Sequence, residues 1–113
     1  MATKAEVKEA LKRLMRRLEA NDASVRSAIP GRKVFRCHVP DLETSWFSVI
    51  EDGRVSAPVE SPVPDAVDVT LEVRSDDLIE LVEDRASFVS LFLTGKVRVQ
   101  ASMMDLLRLR TLL

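Results

Sequence analysis

The side chains that could carry covalent or metal chemistry are scarce in this 113-residue chain. It contains one cysteine, Cys37, and one histidine, His38, at neighbouring positions. A nucleophile needs a base within hydrogen-bond reach, but adjacent residues of a strand point to opposite faces of a sheet. Zinc sites need several cysteines and histidines at short spacing. The sequence therefore predicts no catalytic dyad, no metal site and no cofactor, and hence a protein that is not an enzyme.

The first helix carries a set of basic side chains opposite its apolar stripe. They are Lys8, Lys12, Arg13, Arg16 and Arg17. Such a face is either simply solvated or docks on an anionic membrane surface or an acidic partner, where each cation near a lipid surface contributes about 1 kcal/mol. Nucleic acid is not an expected partner, because aromatic residues for base stacking make up only 4% of the chain.

Apolar side chains are in excess on the late helices. The set is Phe88, Leu91, Phe92, Leu93, Met103, Met104, Leu106, Leu107, Leu109, Leu112 and Leu113. This is more than one face of two short helices requires, and such a surplus is normally buried. It fills a core, forms a dimer interface or lines a cavity for an apolar ligand. Methionine, which adapts its shape to its surroundings, suits the last of these.

The elements that position these side chains follow from hydrophobic periodicity and turn residues. The expected order is α-β-β-β-β-α-α-β-α. A helix runs to Asn21-Asp22, with a short turn at 23–29. Strands cover Lys33–Val39, Ser45–Ile50, Gly53–Glu60 (interrupted by Pro58), Val67–Val73 and Lys96–Ala101. Ser75 caps a helix, Phe88–Leu93 forms the next and ends at Gly95, and Met103–Leu113 forms the last.

This order predicts an α+β fold, a five-stranded, mostly antiparallel sheet with helices packed on one face. Residues 1–113 are expected to form a single domain. The net charge of −1 recruits no polyanion. The apolar run Phe88–Leu93 is far shorter than the ~20 residues of a membrane span, so a cytoplasmic location is expected.

The second half of the chain resembles the sterol carrier protein type-2 family. The segment Trp46–Val55 is similar to that family's strand–turn–strand with its Asp-Gly turn. Asp68–Val73 is similar to its next strand, and Ser75-Asp76-Asp77-Leu78 to its helix start. Leu93–Val99 is similar to its Gly-Lys strand, and Leu106, Leu109 and Leu112 follow the leucine spacing of its closing helix. The chain departs from the family where Asp84-Arg85 and Ala101-Ser102 replace frequent glycines.

The resemblance implies a sterol-carrier-protein-like fold with a hydrophobic tunnel between sheet and helices. The implied protein is a non-enzymatic carrier for a lipid, with a fatty acyl, sterol-like or isoprenoid chain. Its ligand-binding residues would be Leu78, Val82, Phe88, Phe92, Leu93, Met103, Met104 and Leu107. The alternative is a dimerisation or accessory module for an enzyme without an open cavity. An anionic membrane, a homodimer and a partner enzyme are the partners considered besides the lipid.

Overall fold

The computed structural model describes residues 1–60 and 66–109. The helices are α1 (Lys4–Ala20), α2 (Asp22–Ala28), α3 (Ser75–Val82), α4 (Phe88–Leu93) and α5 (Met103–Leu109), with a 3₁₀ turn at Pro40–Leu42. The strands are β1 (Arg32–Val39), β2 (Thr44–Glu51), β3 (Arg54–Val55), β4 (Val59–Glu60), β5 (Val69–Val73) and β6 (Val97–Ala101). Residues 110–113, expected to end the last helix, lie outside the described part of the chain.

The strands form one mixed sheet in the order β3-β2-β1-β5-β6, and β4 also pairs with β2. Every pair is antiparallel except β1 with β5. The α+β fold and the mostly antiparallel sheet are therefore confirmed. The expected third strand is present as two short pieces, β3 and β4. Pro58 lies between them, and proline cannot donate a hydrogen bond to a strand ladder.

One face of the sheet carries the helices, and the main core lies beneath α1 and α3. The α1 side chains Val7 and Leu11 and the α3 side chains Leu78 and Val82 are at most 2% exposed. They pack with Trp46 and with buried residues of β1, β5 and β6. A smaller cluster beneath α2 joins Val25, Ala28, Ile29 and Ile50. This face of the sheet is called the helix-bearing face below.

Two helix starts differ in how their backbone N–H groups are satisfied. Thr3 and Glu6 form a capping box at α1. Ser75, expected to cap α3, is instead its first helical residue, and Arg74 occupies the cap position. The Ser75 hydroxyl donates to Asp41 Oδ2 at 2.5 Å, and the Ser75 N–H donates to Oδ1 at 2.9 Å. The prediction for Ser75 was wrong because a carboxylate distant in sequence replaces the local cap.

The end of α3 is also fixed by a residue far along the chain. Asp84 belongs to the Asp84-Arg85 pair named above as a departure from the resembling family. It has a φ of 60°, the left-handed conformation that glycine adopts without strain. Arg17 of α1 donates a hydrogen bond to the Val82 carbonyl and lies 3.6 Å from Asp84 Oδ1. The cation therefore satisfies the carbonyl end of α3, where the helix dipole favours positive charge.

Candidate functional site

Cys37 and His38 lie on opposite faces of the sheet, as expected. Cys37 is opposite Trp46 in the ladder, and His38 is opposite Ser45. Burial raises the pKa of the Cys37 thiol to about 12, so the thiolate needed for nucleophilic attack is suppressed. His38 Nδ1 lies 2.9 Å from Ser45 Oγ and 3.4 Å from an Arg36 nitrogen. Within residues 1–60 and 66–109, no three His, Cys, Asp or Glu side chains cluster as a metal site.

The residues expected to bind a lipid fall into two groups. Leu78 and Val82 are in the main core, 0% and 1% exposed. Phe88 is half-buried against that core and stacks on Phe92 with ring centroids 6.2 Å apart.

The second group lies at the surface. Phe92 is 49% exposed, Leu93 76%, Met103 72%, Met104 58% and Leu107 53%. Together with Val89, which is 50% exposed, these side chains are called the apolar flank below. The flank belongs to the two helices that precede and follow β6.

The sheet beneath these helices is also incompletely covered. Trp46, Cys37, Leu71 and Val99 are directly opposite one another across β2, β1, β5 and β6. Directly opposite side chains share one face, so this row crosses the helix-bearing face. Trp46 and Cys37 are buried, whereas Leu71 and Val99 are half-buried. In this row the apolar cover is therefore complete over β2 and β1 but partial over β5 and β6, whereas Val73 and Val97 on the same face are each 1% exposed.

An ion pair attaches α5 to the sheet. Lys33 Nζ on β1 lies 3.2 Å from Asp105 Oδ1, and the side chains are 24% and 10% exposed. The backbone N–H of Asp105 also donates a hydrogen bond to Ser102 Oγ at 3.1 Å, near the start of the helix. The sequence gives no signal for the contact between Lys33 and Asp105, because the two residues are far apart in the chain.

Two depressions on the surface lie elsewhere. One, of about 770 Å³, is lined by Arg26, Arg32, Val49, Glu51, Asp52, Arg54, Val55 and Ser56. The other, of about 340 Å³, lies between α1 and α3 and is lined by Ala5, Glu6, Glu9, Ala10, Arg13, Ile79, Val82 and Glu83. Of the residues expected to bind a ligand, Val82 alone lines either depression, so the tunnel stays a prediction.

The basic side chains of α1 are divided between internal contacts and solvent. Arg17 binds the end of α3, as described above, and Lys12 pairs with Glu9 at 3.4 Å. Lys8, Arg13 and Arg16 are exposed. These three therefore remain as the outward-facing charges of the expected docking surface.

Comparison with known proteins assigns a family. The model of the SCP-2 sterol transfer family matches residues 5–113. A search of curated proteins finds no significant match. The described part of the chain, residues 1–60 and 66–109, contains no helix long and apolar enough to span a membrane.

Several solved structures share the fold. The structure titled UbiJ-SCP2 ubiquinone synthesis protein is 23% identical, with a TM-score of 0.65 over 93% of this chain and 90% of that one. Palmitated SCP2L2 from Aedes aegypti is 17% identical, with a TM-score of 0.59 over 88% of this chain and 89% of that one. The inverting sec-alkylsulfatase Pisa1 from Pseudomonas sp. is 13% identical, with a TM-score of 0.57 over 73% of this chain. This chain spans only 13% of that enzyme's length.

The family match covers nearly the whole chain, and the fold agrees with it. Both support a domain of the lipid-binding or lipid-transfer class. The chain belongs to the SCP-2 sterol transfer family.

Proposed function

We propose that residues 1–113 act as one non-enzymatic domain that binds the apolar chain of a lipid between the sheet and the helices α4 and α5. The single observation that carries this proposal is the apolar flank, six large apolar side chains about half or more exposed on the helices around β6. Large apolar side chains exposed in this number on two short helices are a feature of ligand and partner sites.

The half-buried row on β5 and β6 supports the same location. Leu71 and Val99 present apolar surface on the helix-bearing face, and Phe88 lies beside the core with Phe92 stacked on it. A fatty acyl, sterol-like or isoprenoid chain placed there would gain about 0.8 kcal/mol for each CH₂ group removed from water. Ordering costs on binding reduce that gain.

Entry and release require α5 to move away from the sheet. Of the contacts described above, the Lys33–Asp105 ion pair holds this helix by its first turn. The side chains Met103, Met104 and Leu107 are more than half exposed and contribute little buried apolar surface. Opening of α5 therefore sacrifices few apolar contacts of these three side chains, which is what a carrier that releases its ligand requires.

The exposed cations of α1 supply a docking surface in this proposal. Lys8, Arg13 and Arg16 face solvent and would orient the carrier on an anionic membrane or acidic partner during transfer. Attraction of this kind weakens as salt screens it. Binding to vesicles of phosphatidylserine and phosphatidylcholine should therefore fall with ionic strength, and should fall further when Arg13 and Arg16 are replaced with Gln.

Lipid uptake by the delipidated protein tests the proposal. Trp46 is the only tryptophan, so energy transfer from it to cis-parinaric acid reports binding without a label on the protein. We expect the energy transfer to saturate with increasing cis-parinaric acid in the unmodified chain. The Met104→Glu variant should bind this fatty acid at least tenfold more weakly.

Val59→Glu is the matched control. Val59 is 60% exposed, close to the 58% of Met104. It lies on β4, which pairs with β2 and is therefore far from the β6 edge of the sheet. Its replacement should leave uptake unchanged. Absence of uptake in the unmodified chain, together with native mass spectra free of copurified lipid, would refute the proposal.

A further inference from the structure

We propose that β6 is an interface at which a second copy of this chain pairs antiparallel, so that α4 of each copy lies beside α5 of the other. The inference goes beyond lipid binding and does not depend on it. It assigns an occupant to a strand edge that lipid binding leaves unused, and it covers the apolar flank with protein as well.

The free edge of β6 is the first observation. β6 ends the strand order of the sheet, and among the described strands it pairs with β5 alone. It is five residues long and contains no proline. The side of β6 turned away from β5 therefore offers backbone N–H and C=O groups to another strand. An edge of this kind is a template for pairing with another chain.

The β6 strands of two copies can pair antiparallel over their full length in one register. Antiparallel self-pairing that uses all five residues is centred on Val99. It places Arg98 opposite Gln100 of the second copy and Val97 opposite Ala101. A shift that centres the pairing on Arg98 would instead place two arginines opposite each other, which is destabilising.

Charge within the chain agrees with this register. Glu72 is the neighbour of Arg98 on β5, and Thr70 is the neighbour of Gln100. Each Arg98 would thus lie between a carboxylate of its own chain and an amide of the second copy. No like-charged pair lies directly opposite across the new ladder.

The apolar flank gives the second, independent observation. The α4 end at Leu93 lies just before β6, and the α5 start at Met103 lies just after it. Antiparallel pairing brings the beginning of one strand beside the end of the other. Because directly opposite side chains share a face, the helix-bearing faces of both copies lie on the same side of the joined sheet. Val89, Phe92 and Leu93 of one copy then approach the exposed side chains of α5 in the other.

In this pairing the α4 part of the flank in each copy faces the α5 part in the other copy, and a twofold axis relates the two contacts. A twofold interface requires such a self-complementary patch. Covering the flank also removes from water the exposed side chains that the late helices carry in excess of their own core.

Charge substitutions at position 100 test the register. Gln100 is exposed and opposite Thr70 within its own chain, so its replacement should leave folding intact. Gln100→Lys places a cation opposite Arg98 twice per dimer and should weaken the dimer about tenfold. Gln100→Glu should strengthen it. The swap Arg98→Gln with Gln100→Lys removes the like-charged pair across the interface, puts no like charge opposite Glu72 within the chain, and should recover the dimer.

Sedimentation velocity over a hundredfold concentration range measures the dimer, and circular dichroism checks folding of each variant. A delipidated chain that stays monomeric throughout overturns the interface. A dimer whose dissociation constant does not respond to position 100 overturns it as well. Parinaric acid uptake by the same samples separates the two proposals: a dimer without uptake rejects the lipid site alone, and a monomer with uptake rejects the interface alone.

Discussion

Two helical regions that both carry apolar side chains reach opposite degrees of burial. In α3, Leu78 and Val82 are 0% and 1% exposed, whereas Leu93 of α4 and Met103 of α5 are 76% and 72% exposed. The difference comes from neighbours, because α3 packs against α1 above the sheet and the flank has no such cover in the described chain. An apolar side chain is buried only where another element meets it, and the uncovered region is where both proposals place a partner molecule.

Thiol reactivity should show the largest contrast between the two regions. Burial moves the pKa of Cys37 from 9.0 to about 12, which reduces its thiolate fraction near pH 8 about a thousandfold. Ellman's reagent should therefore react with the native chain at least a thousandfold more slowly than with the chain in guanidinium. Leu93→Cys in a Cys37→Ala background should react quickly in the native state. Rapid reaction of native Cys37 would mean that the core opens easily.

The second largest contrast should be in the free energy of unfolding when a leucine in each region is replaced with alanine. Leu78→Ala removes a fully buried side chain and should lower the free energy of unfolding by about 2–5 kcal/mol. Leu93→Ala, at an exposed position, should change it by less than about 0.5 kcal/mol. Urea unfolding followed by Trp46 fluorescence measures both. Similar losses at the two positions would contradict the contrast in burial.

The Asp41–Ser75 contact should give a smaller effect that depends on pH. Desolvation alone would raise the pKa of Asp41, but the hydrogen bonds from the Ser75 hydroxyl and N–H outweigh it, so the pKa is lowered from 3.8. The stabilisation is therefore present above pH 3.8 and is lost as pH falls through the lower folded-state pKa.

Ser75→Ala removes the hydroxyl donor and should cost about 1–3 kcal/mol at pH 7. The difference in stability between Ser75→Ala and the unmodified chain should become smaller as pH falls below 3.8. Thermal unfolding between pH 2 and pH 7 measures it. A gap independent of pH would mean that the carboxylate does not take part.

The smallest stability effect should occur on the flank itself. Met104→Gln replaces a side chain that is 58% exposed and should alter the free energy of unfolding by less than about 0.5 kcal/mol. Its effect should appear instead in acyl-chain uptake or dimerisation, since both need an apolar surface at this position. A variant that loses stability while keeping both activities would place Met104 in a core.

Most of the fold could be predicted because its signals are local. Alternation in β5, the Asp-Gly turn before β3 and the apolar stripe of α1 each depend on residues within one element. Ser75 shows the limit of such signals. Its type indicated a helix cap, but its hydroxyl binds Asp41, a residue 34 positions earlier. Hydrophobic periodicity likewise could not predict the Arg17 contact with α3 or the Lys33 contact with α5.

The sequence could predict which types of residue form the candidate site, but not where in the fold they lie. The sequence correctly indicated that the late helices carry a surplus of apolar side chains. The sequence could not tell which of the expected ligand-binding residues are buried, because helical spacing places Leu78 and Met104 on apolar faces alike and only the packing of α1 on α3 distinguishes them. The free edge of β6 is likewise a property of strand order, which no single segment encodes.

The central position of β1 has a consequence for the order of assembly. One of its edges joins β2 through a four-residue connection, while the other joins β5, where Phe35 meets Val69. Contacts between distant segments cost more chain entropy to form and arise later in folding. We expect pulsed hydrogen exchange during refolding to find amides of β1 and β2 protected before those of β5 and β6. The strand proposed to receive a second chain would then be among the last to form, so self-recognition follows folding rather than competing with it.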